Sequence, residues 1–275
     1  MRPAPLLRDR QAVPLVAVSE SSNPGPTALC HVLREDPELA EAIPVGRRRQ
    51  AIDECTATEL YLPAGRTPRG AGALMGTALG MLVLEGLLIR RVGIDGRFGA
   101  ELLGEGDLLR PSQGEFDSPL LPLETGWVVP EPARLAVLDE EFVQRLAQYP
   151  ELAPAIVARA MQRARNLAVN MAIVHQARVD VRLEMLLWHL AGRWGRVRSD
   201  ATVVPLRLTH TLLADLVAAR RPTVTSALTD LARRGRVESR GEEWLLFGEA
   251  PVELLDVGGR PPSRPNEAPR LASTS

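Results

Sequence analysis

Apolar residues recur along residues 208–231 (LTHTLLADLVAARRPTVTSALTDL) in two short helical blocks separated by a polar break. In the first block, from about Thr211 to Val217, Leu212, Leu213, Leu216 and Val217 share one face. Thr209 stands ahead of it, its hydroxyl placed to accept a backbone N–H that has no partner within the helix. The pattern breaks over Ala218–Arg221, and Pro222 opens the second block, where a first-turn proline removes no intrahelical donor. Val224, Ala227, Leu228 and Leu231 form the buried face of that block, and Thr223, Thr225, Ser226 and Thr229 the polar one. After Arg236, Val237 and Ser239 alternate, Arg240-Gly241-Glu242 carries turn chemistry, and Trp244 and Leu246 alternate again. Two helices followed by a hairpin predict a winged helix-turn-helix; an ordinary antiparallel helix pair with a solvated basic turn is the alternative.

Upstream, the pattern changes period. Leu29, Val32, Leu33, Leu39 and Ile43 give Thr27–Ile43 a helical spacing, and Glu59–Pro63 reads as a strand. Gly80–Leu84, Gly86–Val92 and Arg97–Leu103 read as short strands, with a turn over Gly93–Gly96, which predicts a compact β-roll or jelly roll. Gly72, Gly76 and Gly80 lie at the spacing of a membrane helix-pairing motif, but only 14 residues (71–84) precede Glu85, too few to span a bilayer comfortably. Arg134–Leu138 reads as the last strand, and Asp139 as the cap of a following helix. A long helix then runs from Pro150 or Pro154 to about Gln176. Along it Ala153, Ile156, Ala160, Arg163, Leu167, Asn170, Val174 and Ala177 alternate spacings of three and four. Such a seam suits a helix that pairs with a second copy, with Arg163 and Asn170 fixing register, or one that packs on its own domain. Residues 1–27 and the tail 249–275 are rich in Pro and Ser and are expected to be loosely ordered.

Composition narrows the function classes. The chain has 275 residues, no lysine, and a formal net charge of −1, which argues against a generally basic nucleic-acid coat. Residues 181–248 nevertheless hold 11 arginines against 7 acids, a local +4 on an otherwise acidic body. Cys30 and Cys55 are too few for a disulfide scaffold, and Cys30-His31 are too close for joint metal ligation, so core or surface thiols are expected. His31, His175, His189 and His210 have no nucleophile or acid at motif spacing and read as structural. Gly70, Gly72 and Gly76 miss the dinucleotide-binding glycine spacing by one residue. No metal, cofactor or catalytic residue is expected, and the chain is not expected to be an enzyme. The first residues lack an apolar run of signal-peptide length, which predicts a cytoplasmic protein.

Residues from about 182 to 248 resemble the DNA-binding domain of the Crp/Fnr family of bacterial transcription regulators. The resemblance is carried by the helix RLEMLLWHLAGRW (Arg182–Trp194), the segment ending in PLRLTH, the RRPTV of the second block, and the wing. More weakly, LVLEGLLIRRVGIDGRFGAELLGEGDLLRP resembles the central strands of the family's sensor domain, Gly106-Asp107 matching a turn ahead of its ligand pocket. The resemblance implies an α+β chain: a β-roll sensor over 28–138, helices over 139–180 including a dimerisation helix, and a winged helix-turn-helix over 181–248. It implies phosphate contacts from Thr209, Thr211, Thr223 and the wing residue Arg240, with Thr225 and Ser226 facing the major groove. Arg220 and Arg221 would stand at the mouth of that helix, beside Pro222. Many members carry an acid and an arginine where this chain has Pro222 and Ser226, so a different DNA sequence is expected. Expected partners are an inverted-repeat operator, a second copy through Ile156, Ala160, Arg163, Leu167, Asn170 and Val174, RNA polymerase, and an effector of unknown identity. Cyclic-nucleotide-binding members have Gly-Glu where this chain has Arg110-Pro111, and no arginine lies between Ser112 and Pro130. A buried phosphate diester needs a cation or several donors, so cyclic AMP is not expected to bind in the family's usual way; Arg110 is the one substitute charge. A ligand-sensing or protein-interaction module without DNA binding is the alternative, and after it a nucleotide-dependent enzyme.

Overall fold

The computed structural model describes residues 28–65, 79–109, 117–118, 121–122 and 124–251. The first unit opens with β1 (Leu29–His31), α1 (Val32–Glu35), α2 (Pro37–Glu41), α3 (Val45–Glu54) and β2 (Thr56–Leu62). It continues through β3 (Gly80–Glu85), β4 (Leu88–Ile94), β5 (Arg97–Leu103), β6 (Leu108–Leu109), β7 (Asp117–Ser118), β8 (Leu121–Pro122), β9 (Glu124–Val128) and β10 (Ala133–Leu138). Helices α4 (Glu140–Leu146) and α5 (Leu152–Val174) follow. The second unit comprises α6 (Val179–Trp194), β11 (Arg196–Val197), β12 (Thr202–Val204), α7 (His210–Leu216), α8 (Arg221–Arg233), β13 (Val237–Arg240) and β14 (Glu243–Leu246). The chain is therefore α+β, with a β-sheet domain ahead of a helix-turn-helix domain.

The single amphipathic helix read over Thr27–Ile43 is instead a strand and two helical turns. Pro37 forces the break: it starts α2, and the carboxylate of Asp36 accepts the Leu39 N–H at 3.0 Å. Leu29, assigned to the buried face of that helix, is 65% exposed on β1. The hairpin β4–β5 turns on Asp95-Gly96 alone, with φ of 50° and 72°, the left-handed pair that matches strand twist. Gly93 and Ile94 still pair with Phe98 and Arg97, so the strands run further than their sequence suggested.

Two antiparallel sheets make the roll, one ordered β1-β2-β10-β3-β6 and the other β5-β4-β9. Between them lie Leu62, Met81, Val83, Leu88, Leu103, Leu135 and Val137. The far side of the first sheet, with Leu82, Leu84 and Ala136, packs on α1 to α5 through Leu33, Ile43, Phe142, Tyr149, Leu152 and Ile156. Cys30 and Cys55 belong to this core as buried free thiols, and burial pushes both up to about 11. Asp139 caps α4 as expected, its carboxylate accepting the Phe142 N–H at 2.9 Å.

The far side of the second sheet receives the second unit. Ile89, Ala100 and Leu102 share one core with Leu186, Leu190, Leu213 and Leu216. Arg193 of α6 reaches the Asp107 carboxylate at 2.5 Å and donates to the Leu102 carbonyl at 3.2 Å. Trp194 lies on Gly104 so closely that a Cβ there would stand 2.8 Å from the ring, which explains the glycine. Arg91 of β4 pairs with Asp215 of α7 at 2.9 Å. Residues 1–27, the glycines at 72 and 76, Arg110, and the tail beyond 251 lie outside the described residues. Among the described residues no helix is long and apolar enough to cross a membrane; Gly80, read with those glycines, begins β3.

Candidate nucleic-acid interface

The second unit brings the polar residues of 209–226 onto one surface. The Thr209 hydroxyl caps α7, accepting the Leu212 N–H at 3.2 Å. Leu212, Leu213 and Leu216 then face inward, and the chain reverses at Ala218, whose φ is 50°. In α8, Val224, Leu228 and Leu231 are buried against α6 and α7, with Pro222 in the first turn. This leaves Thr209, Thr211, Arg220, Arg221, Pro222, Thr223, Thr225 and Ser226 all exposed. The hydroxyls of Thr225, Ser226 and Thr229 donate back to the carbonyls of Arg221, Pro222 and Thr225 at 3.1, 3.2 and 3.0 Å. Each hydroxyl oxygen keeps acceptor capacity, and the face stays low enough for close approach to a surface.

Arg220 and Arg221 make no ion pair with a carboxylate among the described residues. The arginines behind them are engaged. Asp180 accepts from Arg178 at 2.6 Å and from Arg234 at 2.8 Å; burial opposes its ionisation, but the two guanidiniums outweigh burial and hold the carboxyl below its usual range. Arg236 bonds Glu184. The bonds of Arg234 and Arg236 tie the C-terminal end of α8, and the turn after it, to α6. On the wing, Arg240 is exposed but pairs with Glu238 at 3.0 Å, so a phosphate must compete with a neighbour for it. Arg207 is likewise paired with Glu242.

One residue of this surface reads from sequence as structural. His210, the first residue of α7, places its Nδ1 2.9 Å from the Thr225 hydroxyl on α8. The position directly after a capping threonine was the available signal, since the first turn of α7 must face the same side as the start of α8.

The seam read along α5 divides between two faces. Ile156 is buried in the core beneath the first sheet, Arg163 bonds Glu101 of β5 at 2.7 and 3.0 Å, and Asn170 holds a buried Oδ1 with no partner among the described residues. These three point into their own chain. Ala160 and Leu167 lie outward, Val174 at the margin, and with them Val157, Met161 and Met171, which are 59, 62 and 63% exposed. A straight helix drifts against a seven-residue repeat, and the apolar outer stripe sits about one residue from the seam read by spacing.

Glu101, Asp107, Arg163, Asn166, Asn170, His189 and Arg193 line a small cavity of about 30 Å³, about the space of one water molecule, where β5, α5, α6 and α7 meet. Burial, and then the positive Arg193, bring His189 down to about 4. Burial raises Asp107, which Arg193 opposes. The two guanidiniums face two carboxylates here, so the cavity presents no excess charge to a phosphate. No group of three or more metal-ligating side chains occurs among the described residues.

A β-roll joined by one long helix to a winged helix-turn-helix is the class that the fold defines. Residues 181–247 match the Crp-like helix-turn-helix domain. The CRP-like cAMP-activated global transcriptional regulator of Mycobacterium tuberculosis is 33% identical over 114 residues, which cover 41% of this chain and 51% of that protein. The chain thus spans about half the length of the curated relatives it matches. A cyclic nucleotide-binding domain containing protein from Listeria monocytogenes superposes with a TM-score of 0.56 at 12% identity, over 76% of this chain and 96% of that one. FixK2 from Bradyrhizobium japonicum gives 0.51 at 15% identity, over 73 and 96%. Residues 181–247, the carboxy-terminal unit, are a Crp-like helix-turn-helix domain.

Proposed function

We propose that this chain is a sequence-specific DNA-binding transcription regulator that acts in the cytoplasm as a homodimer. The exposed pair Arg220 and Arg221, free of carboxylates among the described residues at the start of α8, carries this reading. A helix of this kind enters the major groove with its N-terminal turn toward the base edges. Thr209, Thr211 and Thr223 meet phosphates, Thr225 and Ser226 face the groove, and Arg240 reaches the backbone once it leaves Glu238. An arginine bridging guanine O6 and N7 discriminates by ~1–3 kcal/mol. Two copies reading an inverted repeat require a dimer, and the outward stripe of Val157, Ala160, Met161, Leu167 and Met171 supplies the apolar face.

The β-roll does not hold cyclic AMP in the family's usual way: its pocket segment lacks the family's Gly-Glu and has no arginine between Ser112 and Pro130.

Selection of duplexes from a random pool tests the reading. Wild type is expected to enrich an inverted repeat with half-sites about one helical turn apart, and Arg221→Ala/Ser226→Ala to lose it. A repeat enriched equally by both proteins would move the reading helix elsewhere. Sedimentation tests the dimer: Met161→Glu/Met171→Glu is expected to sediment as a monomer, and an unchanged dimer would assign the interface to another surface.

A further inference from the structure

We propose that three glutamates of the winged sheet, Glu238, Glu242 and Glu243, are specificity determinants: they keep nearby arginines off DNA until α8 is seated on its own sequence. The proposal rests on the DNA-binding reading above. It starts from a pattern of pairs. Arg198, just after β11, reaches Glu243 of β14 at 3.3 Å, and Arg240 of β13 reaches Glu238 at 3.0 Å. Arg207, two residues ahead of the capping Thr209, pairs with Glu242. All six side chains are more than a third exposed. The hairpin gathers them: Arg240 stands opposite Glu243, and the turn between is Gly241-Glu242, with Gly241 at a φ of 65°. The Arg207–Glu242 pair ties that turn to the segment entering α7, whose Thr209 and Thr211 are exposed.

Arg220 and Arg221 have no carboxylate partner among the described residues, whereas each of these three arginines has one. A solvated ion pair is weak, so a phosphate can displace the glutamate. The displacement has a cost, because the released carboxylate is left beside a polyanion. It takes place only where the backbone is held within hydrogen-bond reach. On its own sequence the docked α8 fixes the register and holds the backbone against the wing. On other sequences the protein is bound through phosphates alone, in no fixed register, and the arginines stay with their glutamates. The glutamates thus weaken the specific complex a little and deny the non-specific complex the wing's phosphate contacts. Exposure is what makes the pairs exchangeable; opening a buried pair would strand a charge out of water.

The experiment uses the full chain with two duplexes of equal length, the one enriched by selection and a scrambled one, each titrated at several salt concentrations. Glu238→Gln/Glu242→Gln/Glu243→Gln keeps the size and polarity of the three side chains and removes their charge. On the scrambled duplex its affinity is expected to rise, and its salt slope to steepen by about 0.9 for each arginine released. On the selected duplex the slope is expected to stay at the wild-type value, because the arginines are engaged there already. The ratio of the two affinities should therefore fall, by about tenfold. Adding Arg198→Ala, Arg207→Ala and Arg240→Ala to the same chain should abolish the added slope. An equal rise on both duplexes would reduce the glutamates to plain repulsion and overturn the proposal. An unchanged ratio, or an added slope that survives loss of the arginines, would overturn it too and leave DNA binding intact. Failure of the wild type to enrich any duplex overturns DNA binding, and the role of the glutamates with it.

Discussion

Arginine serves two uses in this protein, one where the β-roll meets the helices packed on it and the other at the mouth of α8. In and around the β-roll, arginines turn inward: Arg134 holds Glu59 at 2.8 Å with Glu35 and Glu85 nearby, Arg159 holds Asp36, Arg163 holds Glu101, and Arg193 holds Asp107. At the mouth of α8, Arg220 and Arg221 face solvent with no carboxylate partner among the described residues. A guanidinium answered inside the molecule contributes to its shape; one left unanswered is available to something outside it. Chain composition cannot separate the two uses, because every basic residue here, histidine aside, is arginine. The structure separates them by burial and by partner.

The sharpest break of that contrast is Arg193→Met. Asp107 would keep only the Gly104 N–H at 2.8 Å, in a site where burial already disfavours its charge. Removing one member of a buried pair costs about 3–5 kcal/mol, read as a fall in the denaturant midpoint. Adding Asp107→Asn to the same chain should recover most of the loss. A single substitution that costs nothing would mean that the roll and the winged unit do not depend on this pair.

Acid should find the same junction. His189 lies beside Arg193 and is held neutral down to about 4, whereas in the unfolded chain it titrates near 6.5. Between those values the unfolded state binds the extra proton, so stability rises with pH and is lost on acidification. The whole separation amounts to about 3 kcal/mol. His189→Gln is expected to flatten the stability profile between pH 4 and 6.5; an unchanged profile would place the acid-sensitive group elsewhere.

Legibility in the sequence follows the same division. The winged unit is built from local signals: a capping threonine, a first-turn proline, helical apolar spacing and a tight hairpin, each of which acts within a few residues. The roll is built from pairings such as β10 with β2 and β3, between strands far apart in sequence. Its strands could be placed but not ordered. The helix read over Thr27–Ile43 fails because Pro37 outweighs the apolar spacing, and Leu29 has a strand partner in Thr58 that no local pattern announces. On α5, spacing does not reveal which side Glu101 and the first core will claim, and Ile156, Arg163 and Asn170 face their own chain. Within the candidate interface the exposed residues were legible, and His210 was not, because its partner Thr225 lies 15 positions away across the turn.

The smallest expected change in stability is the one that most sharpens the comparison. Arg220→Ala and Arg221→Ala remove exposed guanidiniums that hold no carboxylate, so each should alter unfolding free energy by no more than about 0.5 kcal/mol. Under the proposed function their effect is expected on DNA binding. A lost phosphate interaction lowers the salt slope by about 0.9 and weakens all sequences alike, whereas a lost base interaction relaxes preference at one position of the half-site. Paired titrations against the selected duplex and a scrambled one therefore assign each arginine to backbone or base. Arg220 precedes α8 with an extended backbone, φ −84° and ψ 143°, which suits reach along the strand to phosphate. Arg221 begins the helix one turn below Thr225, which suits the groove. Equal losses on both duplexes for Arg220→Ala, with losses confined to the selected duplex for Arg221→Ala, is the expected result. A large loss of stability in either variant would show that these two arginines serve the interior after all, as Arg163 and Arg193 do.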